Sequence, residues 1–112
     1  MLNGAITLFA LAAVGGAVLA YTRIVKKDVN LPVAIVHGIL AATALVLLII
    51  AVTKTGGTGL TAALVVFLIA AIGGFTLLSF HLRMRPMPVP LVLIHGGVAV
   101  TAFIILLIAV LG

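Results

Sequence analysis

The sequence predicts an all-α protein of four transmembrane helices, built from two tandem parallel two-helix repeats. Hydrophobic residues make up 66% of the 112 residues, whereas soluble domains have about 45–50% apolar residues. Charged residues are absent from four stretches, 1–22, 29–53, 55–82 and 86–112. Each stretch can supply the roughly 20 residues that a membrane-spanning helix needs. The third observation is that the second half of the chain repeats the first.

The four uncharged stretches predict the helices in order. We expect them at about Asn3 to Thr22, Leu31 to Thr53, Gly59 to His81 and Val89 to Leu111. Asn30, just before Leu31-Pro32, is a start signal for the second helix. The proline-rich run 86–90 predicts an extended approach to the fourth helix, and the run TGGTG at 55–59 predicts the flexible link between the two hairpins.

The repeat is visible when the chain is shifted against itself by 58 positions. Residues 1–54 then align with 59–112 without gaps and share 18 identities, which defines a first hairpin at 1–54 and a second at 55–112. Among the matches are Gly15-Gly16 with Gly73-Gly74, and His37-Gly38 with His95-Gly96. Each repeat has an even number of spans, so both copies enter the membrane in the same direction, related by an axis along the membrane normal. We therefore expect His37 and His95 to face each other across that axis.

Basic residues predict the orientation of the protein in the membrane. The first loop carries Arg23, Lys26 and Lys27 and the third carries Arg83 and Arg85, whereas the second has only Lys54. The positive-inside rule places loops one and three in the cytoplasm and both termini outside, and we expect a bacterial inner membrane. The basic residues lack the interleaved aromatic residues of a nucleic-acid surface. With loops this short, most soluble enzyme classes are excluded.

The sequence also indicates whether a signal peptide is cleaved and which metal ligands the chain can provide. The small residues at 17–20, AVLA, would suit a signal-peptide cleavage site, but a basic n-region is missing and the first helix matches the third. We therefore expect this helix to stay in the mature protein. Without cysteine, the chain has no thiolate metal ligand and no thioether attachment for haem. Histidine is the remaining good ligand for a soft metal.

His37 and His95 are the candidate ligands. An ionisable residue within a spanning helix usually faces the bundle interior and is a functional candidate by default. The alternative is a neutral histidine that only bonds a neighbouring helix. His81, at the end of the third helix, is expected to be a hydrated interfacial residue.

The glycine pairs Gly15-Gly16 and Gly73-Gly74 are expected at depths similar to the two histidines. Small residues let helix backbones pack closely in membranes, and that alone would explain them. The functional interpretation is that they clear a flat slot while two imidazoles approach from opposite sides.

This arrangement resembles the four-helix core of membrane b-type cytochromes, in which histidines on helices two and four ligate haem and glycines on helices one and three let it approach the backbone. The resemblance covers helix order and the GG and HG elements, not the whole chain. It implies one non-covalent haem b, with His37 and His95 as axial ligands and Gly15, Gly16, Gly73 and Gly74 lining the macrocycle. Its carboxylates would meet cations among Arg23, Lys26, Arg83 and Arg85. The orientation of the protein in the membrane would also explain these basic residues without a haem.

One-electron transfer through a bis-histidine haem is the function expected from this resemblance, and the protein is not expected to be an enzyme. The alternative is an accessory subunit of a larger respiratory or photosynthetic membrane complex, with a membrane oxidoreductase or a pigment complex as partner. The size also resembles small multidrug-resistance transporters, but these depend on an acidic residue in the first helix. Here the only acid is Asp28, in a loop, so proton-coupled cation export is disfavoured. A carrier of anions or neutral substrates stays open.

Overall fold

The computed structural model describes residues 1–112 and consists of four helices without strands. They are α1 (Leu2–Val25), α2 (Leu31–Thr55), α3 (Thr58–Leu82) and α4 (Val89–Leu111). All four are long and apolar enough to cross a membrane. The molecule measures 42 × 22 × 21 Å, and its long axis is close to the roughly 40–45 Å of a bilayer with its headgroup regions. The predicted fold class is confirmed.

Helix starts and ends follow the local sequence. Asn30 caps α2, because its side-chain oxygen accepts a hydrogen bond from the Val33 backbone N–H at 3.3 Å, and Pro32 lies in the first turn. Pro88 is extended (φ −62°, ψ 124°) just before α4. The link between the hairpins is shorter than the predicted 55–59, because only Gly56 and Gly57 separate α2 from α3. Their φ angles of 66° and 101° let two residues reverse the chain, since glycine has no Cβ to clash there.

The helices form a closed ring in chain order. The most extensive packing is within the hairpins, α1 against α2 and α3 against α4. Less extensive contacts join α1 to α4 and α2 to α3. Helices α1 and α3 therefore lie on one diagonal of the bundle, and α2 and α4 lie on the other.

The central core lies in the half of the bundle that holds both termini and the Gly56–Gly57 link. Phe9 and Phe67 stack there across the α1–α3 diagonal, with ring centroids 3.9 Å apart and planes 4° apart. Each core residue of the first hairpin has a counterpart 58 positions later that is also in the core. The cluster comprises Ala5, Phe9, Ala44, Leu48, Ala63, Phe67, Ala102 and Leu106.

Candidate cofactor site at the histidine pair

His37 and His95 lie on the second diagonal, one on α2 and one on α4. Their ring centroids are 6.4 Å apart and their planes are perpendicular. Both side chains are partly buried. The structure therefore brings together the two histidines that the sequence singled out, from different hairpins.

Each imidazole is bonded to the neighbouring helix of its own hairpin. His37 Nδ1 lies 2.7 Å from the Ala12 carbonyl oxygen, and His95 Nδ1 lies 2.7 Å from the Ala70 carbonyl oxygen. A carbonyl oxygen only accepts hydrogen bonds, so Nδ1 carries the hydrogen in both rings. In this tautomer Nε2 has the free lone pair, which is the form in which histidine binds a metal.

The glycine pairs make room for these rings. A methyl group added to Gly16 would lie 3.1 Å from His37 Cε1, and one added to Gly74 would lie 3.0 Å from His95 Cε1. Gly15 and Gly73 face the Cβ atoms of the same two histidines, at 3.5 and 3.4 Å. Both distances to Cε1 are shorter than ordinary van der Waals contacts. The closest neighbour of each glycine pair is therefore the imidazole of its own hairpin, a packing relation that the sequence analysis did not anticipate.

The basic residues divide into two kinds of environment. Arg23 is partly buried, and its Nε donates a hydrogen bond of 2.8 Å to the Met87 carbonyl oxygen in the third loop. Arg83 is exposed on its own helix end, where it donates to Ser79 and its guanidinium lies 5.1 Å from the centre of the Phe80 ring. His81 lines a cavity between the first and third loops, together with Arg23. Arg23 thus joins the two loops, whereas Arg83 stays on α3.

The distance between the two rings can be compared with that between two imidazoles that share one metal ion. Imidazole–metal bonds are about 2 Å long, which would place the two ligating nitrogens about 4 Å apart and the ring centres roughly 6 Å apart. The observed 6.4 Å between centroids agrees with that spacing. Metal-bound histidines almost always donate their other N–H to a carboxylate, carbonyl or water, as both rings do here. No group of three or more histidine, cysteine or acidic side chains is found in the structure, so the pair is the only candidate.

The region around the two rings has few buried side chains. Only Leu77 and Val92 are buried in the half of the bundle nearer the basic loops. Packing between the hairpins is also less extensive than packing within them.

Comparison of the chain with protein-family models, with curated proteins and with solved structures gives no match. The geometry of the histidine pair is therefore the main indication of function.

Proposed function

We propose that His37 and His95 hold one b-type haem and that the protein carries single electrons within the membrane. The observation that supports this best is the pair of imidazoles from opposite hairpins, 6.4 Å apart, each with Nδ1 bonded to a backbone carbonyl. A purely structural histidine needs one hydrogen bond to a neighbouring helix. It does not need a second histidine facing it across the bundle.

The residues around the pair would each have a defined part. The Ala12 and Ala70 carbonyls fix the tautomer and the orientation of the rings, so that Nε2 is available to the iron. Arg23, held by Met87, and Arg83 would supply positive charge for the carboxylates of the group. When bound, haem supplies reversible one-electron chemistry, and ligation by two imidazoles leaves no open position on the iron for oxygen.

The membrane location of this function follows from the four spans. We infer a bacterial inner membrane with the Arg23–Lys27 and Arg83–Arg85 loops in the cytoplasm, because short basic loops are retained on that side. Reporter fusions should then be active in the cytoplasm at Lys26 and Arg85 and outside at Gly57. The reverse pattern would overturn the orientation.

The cofactor is tested by absorption spectroscopy of histidine variants. Protein purified in mild detergent from haem-replete cells should show a Soret band and a sharp α band on reduction. His37→Ala and His95→Ala should each abolish the low-spin bis-imidazole spectrum, since one imidazole cannot fill both axial positions. If the two rings served only helix packing, each substitution would instead lower stability by just the roughly 0.6–2 kcal/mol of an interhelical hydrogen bond in a membrane.

The matched control is His81→Ala, which should leave the spectrum nearly unchanged. The proposal fails if both single variants of the pair keep the wild-type spectrum, or if the wild-type protein is colourless. A colourless protein that co-purifies with a large membrane oxidoreductase or pigment complex would instead favour an accessory subunit.

A further inference from the structure

We propose that the cavity between the first and third loops, at the basic end of the bundle, binds a phosphate group. This loop cavity has a volume of about 220 Å³. Its lining includes three permanent cations, Arg23, Lys27 and Arg85, and only one carboxylate, that of Asp28. Counted over these four side chains, the lining therefore carries a formal charge of +2, which favours an anionic ligand.

Both hairpins contribute equivalent positions to the loop cavity. Lys27 and Arg85 are 58 positions apart, and so are Arg23 and His81. Cations therefore approach the cavity from both loops. This is the arrangement that surrounds a compact anion, and it differs from a charge stripe along one helix face.

One of the cationic side chains, that of Arg23, is held in place by the third loop. Arg23 is the partly buried member, and its Nε bond to the Met87 carbonyl leaves the terminal guanidinium nitrogens free for an anion. Lys27 has a left-handed backbone, with φ at 58°, which L-residues other than glycine adopt at some cost in energy. The Asp28 carboxylate accepts a hydrogen bond from the Val29 backbone N–H at 2.8 Å, which holds it within its own loop.

Two properties favour phosphate as the anion. Guanidinium groups bind phosphate through paired hydrogen bonds, and lysine adds a point charge to the same oxygens. The cavity also lies at the C-terminal ends of the apolar helices α1 and α3, near the level at which a bilayer presents its phosphate groups. The same chemistry could come from an anionic phospholipid headgroup or from free phosphate. The inference does not depend on the haem proposal.

The chain provides closely matched controls. Lys26 and Arg83 are exposed basic residues in the same two loops as Lys27 and Arg85, but they do not line the cavity. Replacing any of the four by Gln removes one positive charge at the same end of the bundle. If the protein attracted anions only through its overall positive charge, all four changes would weaken binding equally. If the cavity is the binding site, only the changes at Lys27 and Arg85 would weaken it.

Binding should be measured by isothermal titration calorimetry in a neutral maltoside detergent, with dihexanoyl-phosphatidylglycerol and with inorganic phosphate as probes. We expect Lys27→Gln and Arg85→Gln each to weaken binding by about tenfold, as expected when a charge-assisted hydrogen bond is lost. Lys26→Gln and Arg83→Gln should change it less than about twofold, because their side chains do not line the cavity and would act on the anion only weakly, through water. Circular dichroism should show wild-type helix content in all four variants.

Competition between the probes distinguishes the sources. Displacement of the lipid by inorganic phosphate supports the site. The ligand is then a lipid headgroup if the lipid binds more tightly than phosphate, and it is free phosphate if the two probes bind equally. Equal losses in all four variants, or lipid binding that phosphate does not displace, would overturn the proposal. The His37→Ala protein should still bind both probes, and Lys27→Gln and Arg85→Gln should still weaken that binding in it, so a failure of the haem proposal stays separate.

Discussion

The two ends of the bundle bury their side chains to different extents. Of the 13 buried residues, 11 lie on α1 and α3 up to Ala12 and Ala70, or on α2 and α4 from Ala44 and Ala102 onward. We call this end the packed half. The other end, which contains His37 and His95, buries only Leu77 and Val92, and we call it the histidine half.

Although the helices are almost uniformly hydrophobic, the two ends of the bundle are stabilised in different ways. In lipid, helix association depends on close packing and hydrogen bonds, because exposure to water does not drive it. The packed half supplies that packing between hairpins through Phe9 and Phe67. The histidine half supplies hydrogen bonds within each hairpin, and the two rings meet where the hairpins are less tightly joined.

Truncating the packed half should have the largest effect on stability. Leu48 and Leu106 are fully buried, so a change to Ala would leave a cavity in the core. We expect Leu48→Ala and Leu106→Ala each to lower the free energy of unfolding by about 2–5 kcal/mol. Reversible unfolding in mixed micelles, followed by circular dichroism, measures this change.

Leu77→Ala is the corresponding change in the histidine half. Leu77 is outside the core cluster, so the loss should be smaller than at Leu48. Ile104→Ala, on an exposed face of α4, should change the free energy of unfolding little. Equal losses at Leu48 and Leu77 would contradict the division into two halves.

The packed half and the helices could largely be predicted from the sequence. Charge-free stretches define spans because a bilayer excludes unpaired charges, and the 58-residue shift pairs Phe9 with Phe67 and Leu48 with Leu106. The Gly56–Gly57 link was predicted too long, because positive φ angles allow a tighter reversal than composition suggests.

The histidine half was only partly predictable. The facing of His37 and His95 was expected from the repeat, and the structure brings them within 6.4 Å. That each ring bonds a neighbouring helix was the alternative interpretation, but its partners, Ala12 and Ala70, could not be named from the sequence, because backbone carbonyls leave no mark in the side-chain pattern. The loop cavity was also missed, since it depends on how two loops 58 residues apart meet. The role of the glycines in lining a macrocycle stays a prediction.

A methyl group on the histidine-facing glycines should have an intermediate effect. In Gly16→Ala and Gly74→Ala the new Cβ would lie about 3 Å from the imidazole Cε1, so the ring must shift and its Nδ1 bond must lengthen. We expect haem affinity to fall about threefold to tenfold, which corresponds to roughly 0.7–1.4 kcal/mol. Haem titration into apoprotein, followed at the Soret band, measures the affinity.

Gly74→Ala should be about as damaging as Gly16→Ala, because their contacts with the imidazoles are nearly equal, 3.0 and 3.1 Å. Unchanged affinity in both variants would mean that the glycines do not set the position of the rings. A fall in stability with unchanged haem affinity would favour simple helix packing.

The smallest effect is expected at the glycines that follow the histidines. Gly38 and Gly96 are next to His37 and His95 in the chain, but a methyl group there would meet nothing within 4 Å. Alanine is a better helix former than glycine by about 1 kcal/mol in water, so Gly38→Ala and Gly96→Ala should stabilise the protein by up to about that amount. Haem affinity should stay within about twofold, since neither the imidazole nor its carbonyl partner is disturbed. The same unfolding and titration measurements compare these variants with Gly16→Ala and Gly74→Ala. The four changes are chemically identical and close to the same two rings, so an equal loss of haem affinity in all of them would show that general helix perturbation, and not the contact between glycine and imidazole, governs the site.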